Sequence, residues 1–236
     1  MWLSDRDMSA ARTILRRQFS GVGGFCKTFM GEFPGQFPKG ETKKWLQIMH
    51  GGINHWILAG YGFESMPEDT VCVYDSNKNG KPTDLVVSCC ASILQSTKEN
   101  FKIRTMAVQQ QEYNDCGGFV IAFPTALLQR KHPRRISFEP KKLVSNLKIC
   151  LTNQIMTLFP LITETRIPTL RYEETWDIPL FCSCRRPAIL KGDQDEWMAQ
   201  CKTCKQWFHP VCENFPDNAK TKKFRWCCTK CIVSHV

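Results

Sequence analysis

Apolar residues recur along this chain with two different periods, and the switches between them mark its elements. Met8, Ala11, Leu15 and Phe19 are spaced by three and four within Ser4–Phe19, which puts them on one face of a helix. Ser4 suits its N-cap, Asp5 and Asp7 fall in the first turn, and Arg16 and Arg17 lie near the other end, each in accord with the helix dipole. Residues 21–40 are rich in Gly, Phe and Pro and predict an irregular surface segment anchored by Phe25, Phe29, Phe33 and Phe37. Ile53–Tyr61 then reads as an apolar strand with His55 near its start. Thr70–Ser76 reads as a short β-branched strand with Asp75 at its end, followed by the turn NKNG. Asp84–Ser96 predicts a helix in which Cys89 and Cys90 pack. The β-type run FKIRTMAV leads through a polar turn to Cys116, where an apolar helix should begin. Pro124 should kink or end that helix, at about 3 kcal/mol if uncompensated. Gln129–Arg135 is a basic turn, Pro140–Leu151 a closing helix, and 161–179, polar with two prolines, a linker.

The chemistry sits at the ends of these elements. A thiol at a helix N-terminus feels the positive end of the dipole and unpaired backbone N–H groups, both of which favour thiolate. Gln109, Gln110 and Gln111 precede Cys116 and offer an amide donor where an oxyanion would form. His55 could take and return a proton, and Asp75 could orient the imidazole. His50 is a second candidate base, set apart by its place before a Gly-Gly turn and by the lack of a following Trp.

Read together, NHW, then VYDS, then QQQEYNDCGGF resemble the ubiquitin-like-protein (SUMO) protease family and its adenoviral-protease relatives. The order is His, Asp, Gln, Cys, whereas papain-like enzymes place Cys first. The opening WLSDRDM is similar to the start of these domains, and KWLQIMH to the strand before their catalytic His. The style is closest to the diverged, transposon-associated members. The resemblance implies an α+β fold of the papain-like/adenoviral-protease-like kind over 1–160. It implies a Cys116 nucleophile, a His55 base, an orienting Asp75 and Gln110 as oxyanion donor, with Gln109 as the fallback. Trp45 and Trp56 are expected in the core or on the rim of a leaving-group channel.

Composition bounds the rest. A chain of 236 residues with 42% hydrophobic content can hold one medium domain and one small one. The first 180 residues carry 22 basic and 17 acidic side chains, the last 56 carry 10 and 5. The tail is therefore denser in positive charge, which favours acidic partners weakly and makes specific nucleic-acid binding no better founded than a solvated basic surface. No apolar run approaches the ~20 residues that span a bilayer, so no membrane partner is expected. An intracellular protein is expected, with the nucleus favoured over the cytoplasm.

Eight of the 14 cysteines lie after residue 180, at metal-ligand spacings. They read as reduced thiols rather than disulfides. The run is Cys182-x-Cys184, Cys201-x2-Cys204, His209-x2-Cys212, Cys228-x2-Cys231, eight ligands for two tetrahedral zinc ions. Cys227 is extra, and the two-residue gap to Cys231 selects Cys228. The ligand order, WFH, and Trp226 two residues before Cys228 resemble a PHD finger over 180–234; a RING shares the ligand alternation without WFHxxC and this Trp. The resemblance implies cross-braced sites: Cys182, Cys184, His209 and Cys212 on one ion, Cys201, Cys204, Cys228 and Cys231 on the other. It also maps a methyl-lysine cage onto Phe181, Met198 and Trp207, aromatic because a trimethylammonium is drawn to π faces. A further cage position falls near Ala188 and is lost, and Lys202 stands where an acidic residue is common. The expected function is a cysteine peptidase acting on a ubiquitin-like modifier or its conjugates, with a finger that binds zinc and docks on a histone H3 tail. The alternatives are an inactive chromatin-binding PHD protein and a transposon-encoded polyprotein protease.

Overall fold

The alternation of side chains along the central strands buries both faces of one sheet. A computed structural model describes residues 3–28, 37–40, 42–52, 54–77, 81–163, 173–189, 197–215 and 225–233. The elements of the larger unit are α1 (Asp5–Gln18), β1 (Gly23–Gly24), β2 (Trp45–Gly52), β3 (His55–Tyr61), β4 (Thr70–Tyr74), α2 (Asp84–Leu94), β5 (Asn100–Thr105), α3 (Cys116–Leu128), β6 (Ser137–Phe138), α4 (Pro140–Asn153), β7 (Leu161–Thr163) and β8 (Thr175–Pro179). The sheet order is β1-β2-β3-β4-β5-β8. β2, β3 and β4 pair antiparallel, whereas β4 and β5 run parallel and so need the crossover that α2 supplies.

On β3, Trp56 and Leu58 join one hydrophobic cluster and Ile57 and Ala59 the other; on β4, Cys72 and Tyr74 part from Val71 and Val73 in the same way. Helices α1, α3 and α4 cover the first face, and α2 covers the second. Such two-sided burial accounts for the near-continuous apolar runs in these strands. Helix α1 buries Met8, Ala11 and Leu15 as its period requires, and Ser4 and Asp7 form a capping box. Arg12 is buried as well and donates to the Phe25 carbonyl at 2.7 Å. In the irregular segment Phe25 and Phe37 are buried anchors; Phe29 and Phe33 lie outside the described residues, as does the end of the NKNG turn.

Two expectations are corrected. Helix α3 does not end at Pro124 but runs on to Leu128. Residues Cys116–Leu127 are all buried, so packing on every side outweighs the missing hydrogen bond. The stretch 161–179 is not simply a linker. Leu161–Thr163 pairs with β6, and Thr175–Pro179 pairs antiparallel with β5 as the sixth strand. Trp176 and Ile178 face inward in a short alternation that two prolines obscured, and Pro179 is tolerated because β8 is an edge strand. The larger unit therefore draws on residues beyond 160.

In the smaller unit β9 (Ala199–Gln200) pairs with β10 (Trp207–Phe208), and α5 (Thr229–Val233) closes the chain. Its apolar centre is aromatic: Trp226 lies 5.5 Å from Phe208 and 5.3 Å from Phe215, which meets Trp197 at 5.2 Å.

Candidate active site and zinc centres

The sheet sets His55 and Asp75 side by side. His55 opens β3 and Asp75 follows β4, which are neighbouring strands in register at Leu58↔Tyr74. The His55 Nε2 to Asp75 Oδ1 distance is 2.6 Å, and the Asn77 N–H donates to the same oxygen at 2.7 Å. With Nε2 on the carboxylate, Nδ1 is left for Cys116, and each of these two groups shifts the other toward its charged form. His50 has no such carboxylate. Its ring stands edge-on to Trp56 at 5.0 Å.

Cys116 is the first residue of α3, and Asp115 caps the helix without a side-chain hydrogen bond. The first N–H groups are thereby left to other acceptors. The N–H groups of Gly117 and Trp56 favour the thiolate form of Sγ, and Sγ lies 4.0 Å from the Asn54 carbonyl. Asn54 has φ 51°, a left-handed conformation that Asn adopts more readily than most residues. Burial raises the Cys116 thiol, but the His55 hydrogen bond and the two N–H groups outweigh it and hold the thiol below its ordinary value. At Cys72, burial first and the Glu64 carboxylate after it push the thiol up to about 12. Burial lowers His55, yet its hydrogen bonds to Asp75 and Cys116 and their negative charges raise it to about 9. Both shifts run in the direction of a thiolate–imidazolium pair.

The three glutamines have different partners. Gln109 grips Phe138 with both ends of its amide, at 3.0 and 2.6 Å, so the fallback oxyanion donor is committed to β6. Gln110 donates both amide hydrogens to backbone, one to Asp75 O and one to Val108 O, each at 3.1 Å; its Oε1 is buried without a partner. Gln111 is bonded to Ser76. A cavity of about 520 Å³ is lined by Leu3, Ser4, Asp5, His50, Asn54 and Trp56; of these, Asn54 approaches the sulfur through its carbonyl. Sequence reasoning missed the backbone groups of Asn54, Trp56 and Gly117, which carry no side-chain signature, and the Ser76–Gln111 contact, which joins positions far apart in the chain.

In the smaller unit the eight metal ligands fall into two groups, Cys182, Cys184, His209 and Cys212, and Cys201, Cys204, Cys228 and Cys231, with ligand atoms within 4.8 Å of one another. Tetrahedral zinc with bonds of ~2.3 Å sets its sulfurs about 3.8 Å apart, and Cys204 and Cys228 lie at 3.9 Å. His209 is buried, with Nε2 on the Pro187 carbonyl at 2.8 Å and Nδ1 3.3 Å from Cys184 Sγ. A carbonyl on Nε2 fixes the tautomer that offers Nδ1 to a metal. The extra Cys227 contacts Thr203 instead, at 3.3 Å. The donor sets fit two structural zinc ions. Of the cage positions, Phe181 bridges to Arg186, Met198 immediately precedes β9, and Trp207 is 44% exposed on β10.

Comparison with known proteins matches each unit separately. The SUMO protease Ulp1, with its catalytic cysteine oxidised to a sulfinic acid, superposes with a TM-score of 0.50 at 15% identity, over 66% of this chain and 80% of that one. The C-terminal Ulp1 protease domain bound to Smt3, the yeast orthologue of SUMO, gives 0.50 at 14% identity, over 65% and 76%. At this identity the likeness defines the fold: the larger unit is an α+β unit of the Ulp1 protease type. Residues 182–231 match the PHD-finger family. The Set1 complex component spp1 of Schizosaccharomyces pombe (strain 972 / ATCC 24843) is 36% identical over 53 residues, 22% of this chain and 11% of that protein. The chain thus joins a Ulp1-type protease fold to a zinc-binding PHD finger. Among the described residues no helix is long and apolar enough to cross a membrane.

Proposed function

We propose that the chain is a cysteine peptidase that cleaves a ubiquitin-like modifier of the SUMO kind from its precursor or conjugates. The observation that carries this reading is the His55–Asp75 pair at 2.6 Å, with Cys116 at the head of a buried helix coupled electrostatically to the same imidazole. The Cys116 thiolate attacks the carbonyl carbon of the scissile bond, forming the C–S bond. His55, protonated at rest, gives its proton to the leaving amine as the C–N bond breaks. It then takes a proton from the water that adds to the thioester, the C–S bond breaks, and the acid product leaves the Cys116 thiolate beside a protonated His55. Asp75 holds the imidazole through Nε2. The N–H groups at the start of α3 face the developing oxyanion, and Gln110 joins them by releasing one of its two backbone carbonyls.

The PHD finger directs the peptidase to chromatin by binding a histone H3 tail, and the protein works in the nucleus. Exposed Trp207 on β10, which pairs with the strand that Met198 leads into, offers the apolar face that a methylated lysine requires. The finger's likeness to a Set1 complex component supports the same location.

The test is labelling of the zinc-loaded chain by SUMO, ubiquitin and NEDD8 carrying C-terminal electrophiles, with Cys116→Ala as control. Labelling by one probe that vanishes in the variant is expected. Undiminished labelling or peptide cleavage by Cys116→Ala would sink the assignment.

A further inference from the structure

The three members of the candidate triad are not held equally well. His55 and Asp75 sit at the ends of adjacent strands, so the sheet itself registers them. Cys116 reaches them along residues 106–115, which belong to no strand or helix. Within that segment the chain leaves the protein at Glu112, Tyr113 and Asn114, all exposed, with Tyr113 at 77%, before returning at α3. Gln111 is the last anchored residue before that excursion. Its N–H donates to the Ser76 carbonyl at 2.7 Å, and its Oε1 accepts from the Ser76 hydroxyl at 3.1 Å. Ser76 is 2% exposed and directly follows the acid. A buried hydroxyl with no access to water loses free energy if its acceptor moves away, so the pair holds both segments at once.

We propose that Ser76 and Gln111 are positioning residues, a reciprocal latch that fixes the turn bearing Asp75 against the arm bearing Cys116. The carboxylate then meets one nitrogen of His55 while the sulfur meets the other. The inference rests on the peptidase reading and adds to it two residues that touch neither substrate nor the reacting atoms. Gln110 reinforces the latch from the neighbouring position through its bond to the Asp75 carbonyl, but among the described residues Ser76 and Gln111 alone join side chain to side chain across the two segments.

The experiment follows alkylation of Cys116 by iodoacetamide against pH in the full zinc-loaded chain, read by mass spectrometry of the Cys116 peptide. It compares the parent chain, Ser76→Ala, Gln111→Leu and the double variant, and it requires no modifier substrate. If the latch sets the thiolate–imidazolium geometry, either single change lowers the rate at pH 6.5 by about fivefold or more. The rate at pH 10, where any thiol is ionised, stays within about twofold. The double variant loses no more than the worse single one, because each change removes the same contact. Singles within about twofold of the parent at pH 6.5, effects that multiply in the double variant, or a lowered melting temperature with an unmoved pH profile would each overturn the proposal. A parent chain whose Cys116 alkylates with an ordinary thiol's pH dependence would remove the peptidase reading itself, and the latch with it.

Discussion

Gln109, Gln110 and Gln111 are chemically identical, yet one grips β6, one bonds the Asp75 carbonyl and one is tied to Ser76. Nothing in a run of three equal side chains says which is which, because the difference lies in the backbone each one reaches. By contrast, the ends of β3, β4 and α3 were legible: His55, Asp75 and Cys116 each stand where a period breaks, and the fold brings all three together. The electrostatics of this set lead to a pH prediction. Burial alone would lower His55, but Asp75 and Cys116 raise it to about 9, so the imidazolium persists until the pH passes about 9. Asp75→Asn removes the carboxylate and lets the imidazole fall back toward its ordinary 6.5. The window for the ion pair then closes from the alkaline side, and Cys116 rises as its cationic neighbour is lost. The alkaline limb of kcat/KM on a modifier substrate should move down in pH, with kcat/KM reduced by at least about 100-fold. An alkaline limb left near 9 in Asp75→Asn would contradict this account.

At the scale of the element, α3 depends on having almost no side chain after its first residue. A Cβ built on Gly118 would lie 2.8 Å from Cβ of Leu143 on α4, and one on Gly117 3.0 Å from the tip of Met8 on α1. The Gly-Gly pair is therefore a packing surface on which two helices close over the nucleophile. Replacing a helical glycine with alanine ordinarily stabilises by about 1 kcal/mol. At Gly118 the opposing atom is the root of a side chain rather than its flexible end, so α3 or α4 must shift, at about 1–3 kcal/mol. Gly118→Ala should thus lower the melting temperature despite the better helix propensity, and Leu143→Ala in the same chain should not restore it, because alanine keeps the Cβ that the new methyl group meets. If Gly118→Ala raised the melting temperature, the close approach would be refuted. The same helix explains why Pro124 misleads: the proline rule is written for a helix standing alone, and α3 is buried over its length by α1, α4 and the sheet. Strand β8 escaped notice for a related reason. Five residues with two inward side chains form a weak pattern, and it becomes a strand only because β5 offers an open edge.

On the scale of the whole molecule, the two units draw stability from different sources. Among the described residues the finger's apolar centre is Trp197, Phe208, Phe215 and Trp226, beside eight metal ligands in about fifty residues, too little apolar area to fold without metal. Chelating the zinc should unfold residues 182–231 while leaving the larger core intact, seen as protease cutting confined to the finger and as loss of Trp197 and Trp226 fluorescence structure. Simultaneous loss of the core would show that the units are not independent in this way. The core reaches into the connection instead. Glu173 is nearly inaccessible, with its side chain 2% exposed, and it pairs with Arg134 Nε at 2.6 Å and Arg104 Nη2 at 2.8 Å. Just beyond it, β8 covers the edge of β5, and Leu180 N–H bonds the Glu99 carbonyl at 2.8 Å. A chain ending at residue 160 keeps the whole candidate triad but loses this carboxylate. Two arginines are left without their counter-ion, a loss worth about 3–5 kcal/mol where such a pair is buried, and the β5 edge is open to other chains. A chain ending at residue 180 keeps the carboxylate and the covering strand and loses only the finger. The shorter chain should aggregate or melt well below the longer one, and Glu173→Gln in the longer chain should fall between them. Equal melting temperatures and equal solubility for the 160- and 180-residue chains would mean that β8 adds nothing to the core, and that a boundary drawn from the polar, proline-bearing stretch alone was sufficient.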